Sequence, residues 1–180
     1  KVLLERGDLD QDAAIVGEPT ELNLALAERG GAWITATARG TAAHGSTPHL
    51  GVSAITSMAR FLLRIEEVLP DIEHPLVGRP SVNAALIDGG SAPNVVADRC
   101  VVDIDRRVIP GERAADVVLE PFDRLAATIR AEHPEVDLSF AVKMWTDAAE
   151  TTGDSRIADL CRDAVRTETG REPLDTGFTG

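Results

Sequence analysis

Residues 32–51 read Ala32-Trp-Ile-Thr-Ala-Thr-Ala-Arg39-Gly40-Thr-Ala-Ala-His44-Gly45-Ser-Thr-Pro48-His49-Leu-Gly51. The first eight residues have strand period: Trp33, Thr35 and Thr37 fall on one face, and Ile34, Ala36 and Ala38 on the other. The remainder is a glycine-bounded loop in which one histidine, His44, stands among small residues. Beyond it Val52, Ile55, Met58, Ala59, Leu62, Ile65 and Leu69 recur every three or four positions, which predicts a helix that Pro70 ends. A strand, an open loop carrying histidine, then a helix is the kind of junction where functional groups collect.

Working outward, residues 70–80 form a loop rich in Pro and His, and 81–88 read as a strand. Gly89-Gly90-Ser-Ala-Pro93-Asn94 is a turn. Residues 95–107 read as a long strand with Val102 and Ile104 opposite Asp103, Asp105 and Arg107. Pro110-Gly111 leads into a second helix with Val118, Phe122, Leu125 and Ile129 as its stripe; Pro121 should kink it or mark its true start. Pro134 ends it, and Val136, Leu138, Phe140 and Val142 alternate as a last strand. The order strand, helix, strand, strand, helix, strand over 31–142 predicts an α+β, ferredoxin-like unit: an antiparallel four-stranded sheet with two helices on one face.

The flanks do not belong to that unit. Residues 13–16 are a short apolar run, Leu22, Leu24 and Leu26 alternate, and Asp154 can cap a third helix striped by Ile157, Leu160, Cys161, Ala164 and Val165 and stopped by Gly170. Residues 1–6 read as a helix tail, and 176–180 as the inside of a loop. The expected division is 1–28 and 144–180 as parts of an outer α/β unit, interrupted by 29–143. Both ends are abrupt, as expected of a piece of a longer protein.

Of 180 residues, 43% are apolar, and the net charge is −12. Nucleic acid and anionic membrane need clustered Lys and Arg, so neither is an expected partner. No apolar run reaches the length of a membrane span. The opening Lys1-Val-Leu-Leu-Glu-Arg is too short and charged for a signal peptide, so a cytoplasmic location is expected. Cys100 and Cys161 have no C-x-x-C neighbour and read as buried thiols. His74 and His133, beside prolines, read as surface residues.

Gly17-Glu18-Pro19-Thr20, Gly40-Thr-Ala-Ala-His44 with Pro48 and Gly51, Gly89-Gly90 with Pro93-Asn94-Val95-Val96 and Asp98, and Asp105-Arg106-Arg107 with Pro110-Gly111-Glu112 follow one another in order. Together they resemble the metal-dependent amidohydrolase family of acetylornithine deacetylase, succinyl-diaminopimelate desuccinylase, aminoacylase and carboxypeptidase G. The resemblance implies a two-domain subunit: a catalytic α/β domain holding two zinc ions, with cobalt or another divalent metal as a substitute, and an inserted ferredoxin-like lid that pairs subunits into a homodimer. It makes Glu18 a zinc ligand and His44 the catalytic donor to the oxyanion of the tetrahedral intermediate, in the partner's site. Such a donor contributes roughly 3 kcal/mol. It also makes Arg107, preferred to Arg106 for its spacing to Gly111, the group that holds the substrate carboxylate, with Asn94 positioning it. His49 is the weaker alternative to His44.

The implied reaction is cleavage of the amide of an N-acyl amino acid or small peptide by a metal-bound water. The other metal ligands and the general base have no match here, so this chain alone is expected to be inactive. The rival reading is a non-catalytic dimerisation or small-ligand-binding module of ferredoxin-like fold, with 32–39 or another edge strand pairing with its copy. A third is a catalytically dead homologue that kept the lid.

Overall fold

The structure is a computed structural model and describes residues 12–112 and 115–179. In chain order the elements are β1 (Leu24–Glu28), β2 (Gly30–Arg39), α1 (Ala54–Leu62), β3 (Ser81–Gly89), β4 (Arg99–Val108), α2 (Ala115–Glu132), β5 (Asp137–Thr146), β6 (Ala149–Glu150), α3 (Arg156–Thr169) and β7 (Asp175–Phe178), with 3-10 turns at Pro48–Leu50 and Ile65–Val68. The expected helix tail at 1–6 lies outside the described residues.

Four strands form one sheet in the order β3-β4-β2-β5, every neighbouring pair antiparallel. This is the ferredoxin-like arrangement. Ala32, Ile34, Ala36 and Ala38 of β2 are fully buried beneath the helices, together with Cys100, Val102 and Ile104 of β4. Three of the chain's 4 phenylalanines meet there. Phe61 of α1, Phe122 of α2 and Phe140 of β5 have ring centroids 5.1 to 6.0 Å apart. They hold both helices against the same strand, the two fully buried rings, Phe61 and Phe122, each contributing about 1.5–3 kcal/mol. Burial also pushes the Cys100 thiol pKa up, as suits a core thiol.

The second sheet runs β6-β1-β7, with β1 parallel to β7 and antiparallel to β6. α3 packs on it through Ala158 and Cys161 against Leu24 and Leu26. Ser155, not Asp154, caps α3: its hydroxyl accepts the Ala158 N–H. Gly170 ends the helix at φ 67°, as its position predicts. Thr176 and its neighbours, expected inside a loop, instead form β7. Residues 13–16 are not a strand. Ile15 and Val16 are exposed, and no described segment pairs with them, whereas a strand exists only by pairing.

Three other expectations shift for physical reasons. The first helix ends at Leu62 because the next turn tightens to 3-10 bonding, which carries Val68 into the core. β4 begins at Arg99, not residue 95, because the backbone of 95–98 is committed to the histidine loop. β2 is no edge strand: it is laddered on both sides, so 32–39 cannot pair with a copy. Among the described residues the four-stranded sheet's free edges belong to β3 and β5. Pro121 lies inside α2, where it removes one N–H from the ladder without ending the helix.

His74, expected at the surface, is buried. Its Nδ1 accepts the Leu76 N–H at 3.2 Å, and its Nε2 lies 3.1 Å from Glu150 on β6. With the Arg29 side chain donating to the Val77 carbonyl at 2.9 Å, this straps 70–80 across the junction of the sheets. His133 is half exposed, as expected.

Arg106 is the largest fully buried side chain, 1% exposed, on the helix-facing side of β4. Its guanidinium pairs with Glu112, whose other oxygen accepts the Ile109 N–H at 3.0 Å. Burial lowers the Arg106 pKa, opposed by the Glu112 carboxylate. Removing the carboxylate strands a buried cation. Glu112→Ala is therefore expected to destabilise the fold by about 3–5 kcal/mol, read from urea unfolding. An unchanged midpoint would show that solvent reaches the guanidinium.

Candidate functional site

The histidine loop closes on itself through its glycines. A Cβ on Gly40 would lie 2.1 Å from the Val52 carbonyl oxygen, and one on Gly51 2.6 Å from that of Thr41. Without side chains there, Thr41 and Val52 exchange two backbone hydrogen bonds of 2.8 and 2.9 Å. The loop then pairs with the asparagine turn: Gly45 N–H donates to the Asn94 carbonyl at 2.7 Å, and Val96 N–H to that of Ala43 at 2.9 Å. His44 and Val95 thus face each other as an isolated bridge. His44 and Asn94 share one tip of the four-stranded sheet, both exposed.

His44 is held in a defined tautomer. Its Nδ1 accepts the Ser46 backbone N–H at 3.2 Å and lies 2.7 Å from the Ser46 hydroxyl. A backbone N–H can only donate, so in the neutral ring the proton sits on Nε2. Nε2 has no hydrogen-bond partner among the described residues, which leaves an N–H aimed outward. The Asn94 side chain is likewise unpartnered among the described residues.

Arg107 lies at the opposite end of the sheet. It pairs with Gly31 at the start of β2, while Arg99 pairs with Arg39 at its end. Eight strand steps of about 3.3 Å put roughly 26 Å between the two ends. Arg107 occupies the open face, away from the helices. Its Nε donates to Asp105 at 3.1 Å, and its two terminal nitrogens hold no hydrogen bond among the described residues. Further along that face, the Lys143 ammonium at 2.7 Å, then the Thr35 hydroxyl at 2.9 Å, hold the Asp103 carboxyl below its ordinary pKa.

Glu18 belongs to a third place. It sits in an exposed turn whose backbone is set by Thr20 N–H donating to the Glu18 carbonyl at 2.8 Å. It lines a cleft of about 540 Å³ with β1, β6 and α3, beside the Arg107 end of the sheet. Among the described residues no three His, Cys, Asp or Glu side chains come close enough to hold a metal ion. One carboxylate does not make a zinc site, so these residues by themselves do not fit the two ions that the motifs imply.

The chain therefore brings His44 to Asn94, and separates that pair from Arg107 and Glu18. Sequence reasoning did not find Ser46 as the residue that orients His44. The signal was its spacing, two residues on, which suits a side-chain-to-backbone bond.

Residues 26–137 match the M20 peptidase dimerisation domain. Over 115 residues, 58% of this chain and 26% of the relative, the sequence is 37% identical to a probable carboxypeptidase of Paracoccidioides lutzii. Over 99% of this chain and 47% of the relative it is 29% identical to an acetylornithine deacetylase of Myxococcus xanthus. The chain thus spans between a quarter and a half of the length of these relatives. In fold it is similar to a tripeptidase of Staphylococcus aureus, with TM-score 0.70 and 22% identity over 88% of this chain and 40% of that one. An aminopeptidase of Bacillus cereus gives TM-score 0.65 and 21% identity over 87% and 40% of the two chains. With the family match covering most of the chain, and the strand order of its four-stranded sheet as described, the chain belongs to the M20 peptidase dimerisation domain family.

Proposed function

We propose that this chain is the lid, with adjoining catalytic-unit segments, of a metal-dependent hydrolase that cleaves the amide bond of N-acyl amino acids or small peptides. In this reading 29–143 is the lid, and 1–28 and 144–180 belong to the catalytic unit, where Glu18 would be one metal ligand among others supplied from elsewhere in the protein. The observation that carries the reading is the Nε2–H of His44 at one tip, beside Asn94, with the terminal nitrogens of Arg107 at the other end, both without a hydrogen-bond partner among the described residues. The first suits an oxyanion, the second a carboxylate.

One substrate cannot touch both ends of a 26 Å strand, so the two groups serve different sites. The exposed edge of β3, where Leu86 and Ile87 are 68% and 63% exposed, supports pairing with a second copy. Antiparallel pairing of β3 with its copy across a two-fold axis sets the His44 tip of one subunit level with the Arg107 end of the other. His44 then donates its Nε2–H to the oxyanion in the partner's site, while Asn94 helps position the substrate there.

Three outcomes are expected of the complete gene product. Among acetylornithine, succinyl-diaminopimelate, N-acetyl amino acids and dipeptides, one class is cleaved, and a zinc chelator abolishes the cleavage; a folded, metal-loaded protein inert to all of them would favour the non-catalytic module. His44→Ala lowers kcat by about 100–1000-fold with metal content intact. At substrate concentrations well below the raised KM of Arg107→Ala, where each variant alone is nearly silent, mixing His44→Ala and Arg107→Ala subunits restores about a quarter of wild-type activity, since half the random dimers are mixed and each holds one intact site. No restoration on subunit exchange would place both groups in one subunit's site.

A further inference from the structure

At the Arg107 end, the open face of the sheet is shaped. Two rows cross three strands: Thr146, Gly31 and Arg107, then Met144, Trp33 and Asp105. On the β4 side Asp105 holds Arg107 by its Nε, leaving the terminal nitrogens free among the described residues. On the β5 side the Thr146 hydroxyl lies 3.2 Å from the Met144 sulfur and ties those two side chains together. Flanking strands are each about 4.8 Å from β2, so these walls stand roughly 10 Å apart. Gly31 lies buried at the base between them, and Trp33, 54% exposed, closes the inner end.

The fold does not require the glycine at 31. Gly31 has no positive φ, and a Cβ added there would meet nothing within 4 Å beyond its chain neighbours. Its neighbour Gly30 is the opposite case, with the Thr146 carbonyl 2.2 Å from an added Cβ. A bare residue inside a central strand weakens the strand and suits a place where a ligand approaches the backbone. The exposed indole beside it also lacks a structural purpose, because its neighbours on the open face are polar or charged apart from Met144.

Resting on the hydrolase reading above, we propose that this trough reads the substrate's carboxylate together with the side chain next to it. The carboxylate lies on the terminal nitrogens of Arg107, above the row that Gly31 leaves without a side chain. The adjoining side chain lies against the indole of Trp33 and the thioether of Met144. Both walls favour an apolar, above all aromatic, group. Trp33 is then a specificity-determining residue, and the substrate class is N-acyl or peptidyl derivatives of apolar amino acids, not of ornithine or diaminopimelate.

The test compares the complete wild-type gene product with Trp33→Ala, Trp33→Phe and Arg107→Ala on N-acetyl-phenylalanine, N-acetyl-glycine and N-acetyl-ornithine. The readout is the ratio of kcat/KM for the phenylalanine substrate to that for the glycine substrate. The ratio is expected to exceed about ten in the wild type, to fall about tenfold in Trp33→Ala, and to recover in Trp33→Phe. Arg107→Ala is expected to raise KM for every substrate without changing the ratio. A wild-type preference for the ornithine substrate, or a ratio indifferent to Trp33→Ala, overturns the trough while leaving the hydrolase intact. If nothing is hydrolysed, the hydrolase reading falls, and the same ratio is read in dissociation constants by calorimetry, where indifference to Trp33→Ala again overturns the trough.

Discussion

The backbone of β2 is hydrogen-bonded along both of its edges, to β4 over its full length and to β5 over all but its first residue. That double ladder is the constraint on which the rest of the molecule depends. Because β2 is central, its helix-facing side must be fully buried, and only small or branched residues, Ala32, Ile34, Ala36 and Ala38, let two helices settle on it. Because both of its edges are occupied, neither can be offered to another chain. Its ends are where the strand ladder stops, and there the chain turns into the histidine loop at one end and crosses to the second sheet at the other. The two candidate sites are these two ends.

The open face is organised by charge instead of by packing. Lys143, Asp103 and Thr35 form one cluster, and Arg107 with Asp105 another. Each pair is partly exposed and contributes little to stability. Their effect is geometric: Lys143 of β5 reaches across β2 to Asp103 of β4 and covers the row at Thr35, whereas Asp105 holds Arg107 along β4 and leaves the row at Gly31 and Trp33 uncrossed. Trp33 stands in that uncrossed part of the row.

Much of this was legible in the sequence. Period-two alternation in 32–39 and 136–142 and the helical stripes around Met58 and Phe122 specify elements and burial directly, so the order of the central unit, and from it the sheet topology, follows. His44, Asn94, Arg107 and Glu18 were legible only as motifs. Their distribution over the molecule was not, because it depends on which strands are neighbours and which way each runs. The strand expected at 13–16 failed because an apolar run says nothing about whether a ladder partner is present. His74 and Arg106 were misread or passed over for a related reason. A buried polar side chain owes its place to a partner distant in space or beyond the strand end, Glu150 for one and Glu112 for the other, and local pattern does not reveal such partners.

The contact between Gly30 and the backbone of Thr146 and Ala148 has a mechanical meaning. The chain enters the four-stranded sheet at 28–30 and leaves it at 146–149, and the two crossings touch. They form one joint, and neither can bend without the other. The sheet beyond that joint is a stiff arm about 26 Å long with the imidazole of His44 at its far end. A turn of about 10° at the joint carries that imidazole about 5 Å, well beyond hydrogen-bond reach, while Arg107, close to the pivot, scarcely moves. A small angular change at that joint would thus swing the His44 imidazole through several ångströms while the Arg107 guanidinium keeps its place.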